Sequence, residues 1–525
     1  MTTEHKKDVA SFLGGARVKP STLVGAPVLA DGQIQPVTDQ PGINLYVRKS
    51  GVLVPAVETV APKTITTEPI SMVVDPVSGV SPPAGTIVTK QSEYDALGAP
   101  LRYAQDALRI LPPVLGDYVK VRLVAGEHWG MAGSIRTLWV IGRPACVASG
   151  TTFIAVDPVL GGVIRGSIYF YGDTSVYTAV QSGTYSAPRT IACPTGTWSV
   201  NELQGKWVWF LTGSGAGQKL PIRNNTATSI EVATPLIAGS GTFEIRQNDS
   251  YIIPTTNGTD TILPFQILAG PFGAGAVLFY DLRINKPTKT GQILNYPGTH
   301  MAFIRCNIHA EYSASYGMSL SGRIYFSGCQ IVVAGPYPVW CSGVYGNHVD
   351  ILNCMIRGKY TATGAGYPGL FTCYFSGELL VTSSLFEPTD GTFTKGMIGI
   401  NSGLVHSRNS VVLDGLGTAQ GILLGGGEGV AAFESEGGLQ INNTTTAVSV
   451  AKGGSISHAL AISGSGNTTV FNVSGGERIS WRRSALSIVG TDYANIDGQV
   501  YASSYFASDG DKVIGQYGSS LEVTP

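Results

Sequence analysis

Six short segments in the second half of the chain share one pattern, in which a branched or aromatic residue stands two positions after a mostly small one. They are Leu282-x-Ile284, Cys306-x-Ile308, Cys329-x-Ile331, Cys354-x-Ile356, Ser384-x-Phe386 and Ser410-x-Val412. The steps between their second members are 24, 23, 25, 30 and 26 residues. A period of this length, with short strands and glycine turns, is typical of a solenoid, in which each repeat packs only on its neighbours.

The composition decides which kind of solenoid the repeats form. The chain of 525 residues contains 68 glycines, and only 13% of its residues are charged. Helical repeats are usually longer, and leucine-rich repeats show a stricter leucine pattern. The pattern therefore predicts an all-β fold, a right-handed parallel β-helix in which successive turns stack about 4.8 Å apart.

Stacked turns bring equivalent residues into ladders inside the tube. The small members of the repeats are predicted to line one tight internal corner, and the larger members to form an apolar stack beside it. The predicted corner ladder comprises Cys306, Cys329, Cys354, Ser384 and Ser410. The predicted apolar stack comprises Ile284, Ile308, Ile331, Ile356, Phe386 and Val412.

One stretch of the chain has helical periodicity. Within residues 92–111, Leu101, Ala104, Leu108 and Leu111 recur at helical spacing, and Pro112-Pro113 ends the pattern. A solenoid needs a cap because it cannot close its own ends. We expect this helix to be the cap.

Composition along the chain predicts four regions. Residues 1–90 carry ten prolines and are predicted to be an attachment arm or a small β-domain. Residues 91–145 are predicted to hold the capping helix and the first β-helix turn. Residues 146–262 are interpreted as an inserted β-hairpin module, and residues 263–525 as the parallel β-helix with a C-terminal closing segment.

Charge and hydropathy exclude several classes of function. The net charge is −1, so nothing favours nucleic acid as a partner. No apolar run approaches the roughly 20 residues that span a bilayer, and the N-terminus lacks the apolar core of a signal peptide. We therefore expect synthesis in a cytoplasm without membrane insertion.

Seven cysteines in so long a chain do not indicate a disulfide framework.

Three stretches carry a resemblance to a known family. They are the helical Tyr103-Ala104-Gln105-Asp106-Ala107-Leu108, the strand Val121-x-Leu123-x-Ala125-Gly126, and the glycine-rich module from Thr212 to Val232. From about residue 90 onward the chain resembles the pectate-lyase-like β-helices of bacteriophage structural proteins. The resemblance implies a virion protein, a tail spike, tail fibre or head fibre, that forms a homotrimer and contacts other virion proteins through residues 1–90. It implies assembly in the host cytoplasm.

Proteins of this kind often cleave polysaccharides, so the carboxylates of the repeats are catalytic candidates. Glycoside hydrolysis needs two carboxyl groups roughly 5–9 Å apart. The candidates are Asp281, Glu311, Asp350, Glu378, Glu387, Asp390 and Asp414. In the register predicted here no two of them share a ladder position, so each is also interpreted as a solvated turn residue.

Neither a metal site nor a cofactor site is predicted. Cys306 and His309 face opposite sides of a strand, and no carboxylate cluster has the spacing of a Ca²⁺ site. Trp139, Trp207, Trp209, Trp340 and Trp481 are weighed as sugar-stacking platforms against the alternative of core or interface anchors.

Three functions remain open at this point. The first is a non-enzymatic, trimeric β-helical spike or fibre that is anchored by its N-terminus and contacts the host surface, with surface polysaccharide as a candidate partner. The second is a polysaccharide-depolymerising tailspike, either a glycosidase or a lyase. The third is an assembly protein of the head or tail without receptor contact.

Overall fold

The computed structural model describes the backbone of most of the chain. Side chains are described only from residue 66 onward, and only for some of the residues in the ranges given next. The described residues are 34–36, 45–49, 52–55, 66–112, 117–129, 137–140, 168–186, 189–253, 266–269, 277–284, 293–294, 300–311, 316–320, 322–335, 337–342, 348–360, 369–374, 377–390, 393–425, 431–450, 454–457, 462–473, 478–481, 486–496, 499–502, 514–515 and 520–523.

The chain divides into two compact units, Met1–Thr66 and Thr67–Pro525. In the first unit, three strands form an antiparallel sheet: Ile34–Pro36, Leu45–Lys49 and Val52–Pro55. The second unit contains a parallel β-solenoid, so the predicted fold class is confirmed. Its first strand begins at Ile70, within the region interpreted as the attachment arm. No helix in the described residues is long and apolar enough to cross a membrane.

Fourteen described strands, all parallel, form one wall of the solenoid, which we name sheet A. Its strands are Ile70–Val74, Val119–Leu123, Ile168–Gly172, Val277–Tyr280, His300–Ile304, Arg323–Ser327, His348–Leu352, Gly377–Thr382, Gly403–Arg408, Ala431–Ser435, Gly454–Ser457, Arg478–Trp481, Gln499–Ala502 and Ser520–Val523.

Two further runs of parallel strands complete each turn, and we name them sheet B and sheet C. Sheet B comprises Gly126–Trp129, Ser250–Ile253, Arg283–Ile284, Asn307–Glu311, Gln330–Gly335, Met355–Tyr360, Leu385–Pro388, Val411–Asp414 and Leu439–Asn442. Sheet C comprises Ile293–Leu294, Tyr316–Leu320, Tyr337–Ser342, Gly369–Tyr374, Gly396–Ile400, Gln420–Leu424 and Thr446–Val450. Ile462–Val473 pairs with both sheets, and Leu486–Ile496 and then Ile514–Gly515 follow it.

A closed antiparallel barrel is inserted between two solenoid strands, Ile168–Gly172 and Ser250–Ile253. Its strands are Thr174–Ser186, Thr190–Ala192, Trp207–Phe210, Lys219–Asn225, Ser229–Val232 and Gly239–Asn248. The barrel has a core of its own, with Val208, Ile222 and Phe243 fully buried. A separate parallel pair joins Thr137–Val140 to Gln266–Ala269.

The helical stretch is shorter than predicted. Two helices, Gln91–Asp95 and Ala104–Ile110, replace the single one expected over 92–111. Between them the chain turns at Gly98, whose φ of 70° is left-handed, and continues through Pro100, which cannot extend a helix. Ala107 and Leu108 of the second helix lie in the same buried cluster as the first strand of sheet A.

The interior ladder follows the prediction over its first members. Ile284 pairs with Ile308, Ile308 with Ile331, Ile331 with Ile356, and Ile356 with Phe386. Cys306, Cys329 and Cys354 are fully buried at the corner between sheets A and B. The backbone amide of Cys354 donates to the hydroxyl of Ser384 at 3.0 Å, so the hydroxyl continues the thiol ladder.

The last step of the predicted ladder is wrong by one residue. Phe386 pairs with Leu413, and the amide of Val412 donates to the carbonyl of Ser384, so Val411 takes the corner position expected for Ser410. The physical reason is one extra residue in the turn: Arg408 and Val412 are four apart, while their partners Thr382 and Leu385 are three apart. Ser410 is the additional residue.

Val412 consequently faces outward instead of joining the apolar stack. It packs with Met355 and Leu385 of sheet B and with Ala233 of the barrel. The barrel therefore covers the outer face of sheet B, and sheet A keeps an outer face on which functional side chains can lie.

Candidate functional site

Five titratable side chains lie along the outer face of sheet A, and we name them the acid–histidine row: His348, Asp350, Glu378, His406 and Glu434. They belong to four successive strands. Their inward neighbours, such as Val349 and Leu379, are fully buried, because side chains alternate between the two faces of a strand.

His348 is held between two carboxylates. Its Nε2 lies 3.1 Å from Asp350 Oδ1 on the same strand, and its Nδ1 lies 2.9 Å from Glu378 Oε2 on the next strand. A neutral imidazole has one donor nitrogen and one acceptor nitrogen. Because ionised carboxylates only accept hydrogen bonds, both ring nitrogens of His348 must donate, and they can do so only when the imidazole is protonated.

The charge balance agrees with this geometry. The hydrogen bond to Asp350 is the largest cause that raises the pKa of His348 to about 9; burial opposes it and Glu378 adds to it. His348 is therefore an imidazolium at neutral pH, and the carboxylate of Asp350 is nine-tenths buried beneath it.

His406 continues the row. Its Nε2 lies 3.8 Å from Glu378 Oε1, and its Nδ1 lies 3.1 Å from Glu434 Oε2. Glu378 thus contacts two histidines from the strands on either side, and its side chain is 44% exposed. From strand to strand the row alternates histidine and glutamate, in the order His348, Glu378, His406 and Glu434, at the spacing of the solenoid turns.

Asp350 and Glu378, two of the catalytic candidates, are brought together by the fold. They do not share a ladder position, since Asp350 pairs with Leu380 and Glu378 with His348. The two carboxylates are therefore two ladder positions apart, and the side chain of His348 contacts both of them. His348, His406 and Glu434 were not predicted from the sequence as catalytic candidates. The signal that was available is His348-x-Asp350, two polar residues on one face of a strand that is otherwise apolar.

Glu387 and Asp414, also candidates, form a second group on sheet B. Arg223 of the barrel reaches both, with Nη2 at 2.6 Å from Glu387 and at 2.8 Å from Asp414. Its Nη1 lies 2.8 Å from Glu231 of the barrel. Arg357 adds a further contact at 2.5 Å to Glu387. These carboxylates hold the barrel on the solenoid, and cations already neutralise them.

The other candidates lie apart from these groups. Asp281 makes a two-point ion pair with Arg305 at 2.7 and 2.8 Å. Asp390 lies 3.2 Å from Lys359 Nζ. The backbone of Glu311 lies in sheet B, and its side chain is outside the described part of the chain.

The tryptophans that are described serve the barrel. Trp207 is buried, and its indole donates to the carbonyl of Gly328 in the solenoid at 2.8 Å. The centre of the Trp209 ring lies 3.8 Å from Lys219 Nζ and 4.3 Å from the guanidinium carbon of Arg246. Both are therefore interface and packing residues. The side chains of Trp139, Trp340 and Trp481 are outside the described part of the chain.

Within the described residues, no three His, Cys, Asp or Glu side chains are grouped so that they could hold a metal ion. The arrangement of the row is instead one of mutual hydrogen bonds and ion pairs. Its chemical capacity lies in donating hydrogen bonds to hydroxyl groups and in accepting hydrogen bonds from them.

No protein-family model matches the sequence, and no curated protein matches it either. Solved structures align over most of the chain with low similarity. The tailspike Gp54 of Acinetobacter baumannii bacteriophage AP22, in complex with A. baumannii capsular saccharide, is 10% identical, with 73% of this chain and 71% of that chain covered and a TM-score of 0.22. The tailspike gp61 of Pseudomonas phage phi297 is 11% identical, with coverages of 77% and 69% and a TM-score of 0.22. The tailspike gp49 of Pseudomonas phage LKA1 is 10% identical, with coverages of 74% and 67% and a TM-score of 0.19.

Proposed function

We propose that this chain is a structural protein of a tailed-phage virion, a trimeric β-helical spike or fibre that contacts polysaccharide on the host surface. In this proposal residues 1–90 attach it to other virion proteins, the barrel is an inserted module, and the solenoid carries the binding face. The resemblance of the helix, the strand and the glycine-rich module supports the virion role.

The acid–histidine row is the observation that carries the binding role. It extends over four strands, each about 4.8 Å from the next, so its polar groups repeat along a straight line. A polysaccharide is a linear polymer with hydroxyl groups at regular intervals. Carboxylates accept hydrogen bonds from such hydroxyls, and the half-exposed Glu378 is placed to do so.

The test is to incubate the purified protein with polysaccharide from the surface of the host and to measure binding and the release of reducing ends. Glu378→Gln is the informative variant, because it keeps the shape and removes the acceptor charge. Glu436→Gln is the matched control, since Glu436 directly follows the sheet-A strand Ala431–Ser435 and has similar exposure, but it pairs with Arg408 instead of the row.

Binding that weakens in Glu378→Gln and persists in Glu436→Gln supports the proposal. Binding that is equal in both variants means that the row is not the contact face. If no polysaccharide of the host surface binds, the receptor role fails and the alternative of an assembly protein without receptor contact takes its place.

A second function, polysaccharide cleavage, is favoured by one observation. Asp350 and Glu378 both contact a protonated His348, so a proton donor and the half-exposed carboxylate of Glu378 lie side by side on the row. Release of reducing ends by the native protein, abolished in His348→Gln, would establish a depolymerase. Binding without release would leave the chain a non-enzymatic spike.

A further inference from the structure

Two leucines, Leu380 and Leu404, stand beside the acid–histidine row on the outer face of sheet A. They face outward, because their strand neighbours Leu379 and Val405 are fully buried inside the solenoid. Both leucines are partly exposed, and neither belongs to a buried hydrophobic cluster of the described side chains. Core packing therefore does not explain why leucines occupy these two positions.

The strand pairing places the two leucines among the charged groups of the row. Leu404 pairs with Glu378 of the preceding strand, and Leu380 pairs with His406 of the following strand. These four residues form a rectangle, which we name the leucine–acid patch. Its paired corners are about 4.8 Å apart, and its corners on one strand are about 6.6 Å apart. Polar and apolar corners therefore alternate around an open surface.

The carboxylate of Glu378 keeps capacity to accept a further hydrogen bond. Its Oε2 lies 2.9 Å from His348 Nδ1, whereas its Oε1 lies 3.8 Å from His406 Nε2, which is beyond hydrogen-bond distance. Each carboxylate oxygen can accept about two hydrogen bonds. Because the side chain is 44% exposed, an external donor can reach it.

A ligand group that covers this patch must carry a donor and an apolar end close together. An acetamido group has both, since its amide N–H donates and its methyl carbon lies about 2.4 Å from that nitrogen. When the N–H donates to Glu378 Oε1, the methyl group extends toward Leu404 on the next strand, about 4.8 Å away. One acetamido group therefore matches one polar corner and one apolar corner.

We propose that the leucine–acid patch binds the acetamido group of an N-acetylated amino sugar, with Glu378 accepting from its N–H and Leu404 contacting its methyl group. Leu380 adds apolar surface at the opposite corner. This inference rests on the proposed function, in which the row contacts host polysaccharide, and it names the chemical class of one sugar unit of that ligand.

Other common sugar substituents match only half of the patch or none of it. A hydroxyl group donates to the carboxylate of Glu378 but leaves the leucines uncovered. A free amino group is attracted by the same carboxylate and also leaves the leucines uncovered. A sugar carboxylate is repelled, because Glu378 and Asp350 lie on either side of His348.

The test uses three hexasaccharides that share one β-1,4-linked backbone and differ only at the second carbon of each unit. They are chitohexaose with acetamido groups, its fully de-acetylated form with amino groups, and cellohexaose with hydroxyl groups. In calorimetric titration of the full-length protein, chitohexaose should bind at least about fourfold more tightly than cellohexaose, the factor for burying one methyl-sized group. It should also bind more tightly than the amino form in physiological salt, which screens exposed charges.

Leu404→Asn is the informative variant, because it nearly keeps the size of the side chain and removes its apolar surface. It should lower the affinity for chitohexaose by about fourfold and leave the affinity for cellohexaose unchanged. Leu404→Ala should act in the same direction if the asparagine variant does not fold. Glu378→Gln should weaken the binding of both ligands, because both donate to its carboxylate.

Leu416→Asn is the matched control. Leu416 is also an exposed leucine, at 46%, but it follows the sheet-B strand Val411–Asp414 and lies outside sheet A. Its φ of 50° is left-handed, a conformation that asparagine adopts readily, so the variant should fold. Its affinity for all three hexasaccharides should equal that of the native protein.

Equal binding of chitohexaose and cellohexaose would overturn the inference, as would amino-form binding as tight as that of chitohexaose. A preference for chitohexaose that Leu404→Asn leaves unchanged would overturn it too. Host polysaccharide that binds while chitohexaose does not would keep the proposed function and reject the acetamido site. Chitohexaose binding that depends on Leu404, combined with no binding of host polysaccharide, would keep the site and reject the receptor role.

Discussion

Arg223 Nη2 in the barrel lies 2.6 Å from Glu387 Oε2 in the solenoid, although the two residues are 164 positions apart in the chain. The same guanidinium reaches Asp414, and all three side chains are largely buried. The barrel is therefore fastened to sheet B by a largely buried charge network.

Replacement of Arg223 by Met should destabilise the docked barrel strongly. Glu387 and Asp414 would remain buried with less compensating charge, and breaking a buried pair in this way costs about 3–5 kcal/mol. Denaturant unfolding followed by the fluorescence of the barrel tryptophans measures the loss.

Arg122→Met is the control for Arg223→Met. Arg122 pairs with Asp173 at 2.9 Å, but its side chain is 48% exposed, so the change should cost about 1 kcal/mol or less. Equal effects of the two substitutions would contradict a docking role for the buried network.

The thiols of Cys306, Cys329 and Cys354 should resist alkylation in the native protein. All three are fully buried, and burial raises the pKa of Cys306 and Cys329 well above that of a free thiol, so reactive thiolate is scarce. Iodoacetamide labelling read by mass spectrometry, with and without denaturant, measures this. Rapid native labelling of all three would refute the internal ladder.

The solenoid could be predicted because its interior repeats residue types. Cys306, Cys329 and Cys354 fill one corner, and each follows a residue with left-handed backbone, Arg305, Gly328 or Asn353. A left-handed residue recurs in the next two coils, at Ser383 and Asn409, so the constraint on the following residue recurs too, and the sequence displays it as a period.

The register of the last predicted turn could not be obtained in the same way. Ser410 satisfies the small-x-branched pattern, yet it is an extra residue in the turn, and Val411 and Leu413 fill the interior. Residues 411–413 are all apolar, so either register places apolar residues in the interior. The one-residue insertion therefore cannot be detected from the residue types alone. Only the strand pairing distinguishes the two registers.

The acid–histidine row and the Arg223 network depend on distances between turns, which the sequence does not state. Turn lengths vary, and they set which side chains become neighbours on the outer faces. Asp350 and Glu378 are 28 positions apart, and they meet only because His348 spans the offset between their strands.

The native protein should be a trimer if it is the proposed spike. Size-exclusion chromatography with light scattering should then give three times the chain mass of 55.0 kDa, about 165 kDa. The same sample in guanidinium chloride provides the single-chain reference. A native mass equal to one chain would contradict the trimeric form of the proposal.

The stability supplied by His348 should disappear at alkaline pH. Its pKa is raised from 6.5 to about 9 in the folded protein, chiefly by the hydrogen bond to Asp350. A raised pKa means that the folded state binds the proton more tightly, so the contribution is complete below about pH 6.5 and is lost as the pH rises through 9.

Comparison of native protein with His348→Gln from pH 6 to pH 10 isolates this contribution, because all other titrating groups are common to both. The difference in unfolding free energy should shrink across the interval between pH 6.5 and pH 9 and level off above it. A difference that stays constant over that range would mean that His348 is not held as an imidazolium between Asp350 and Glu378, and the proton donor invoked for polysaccharide cleavage would be lost with it.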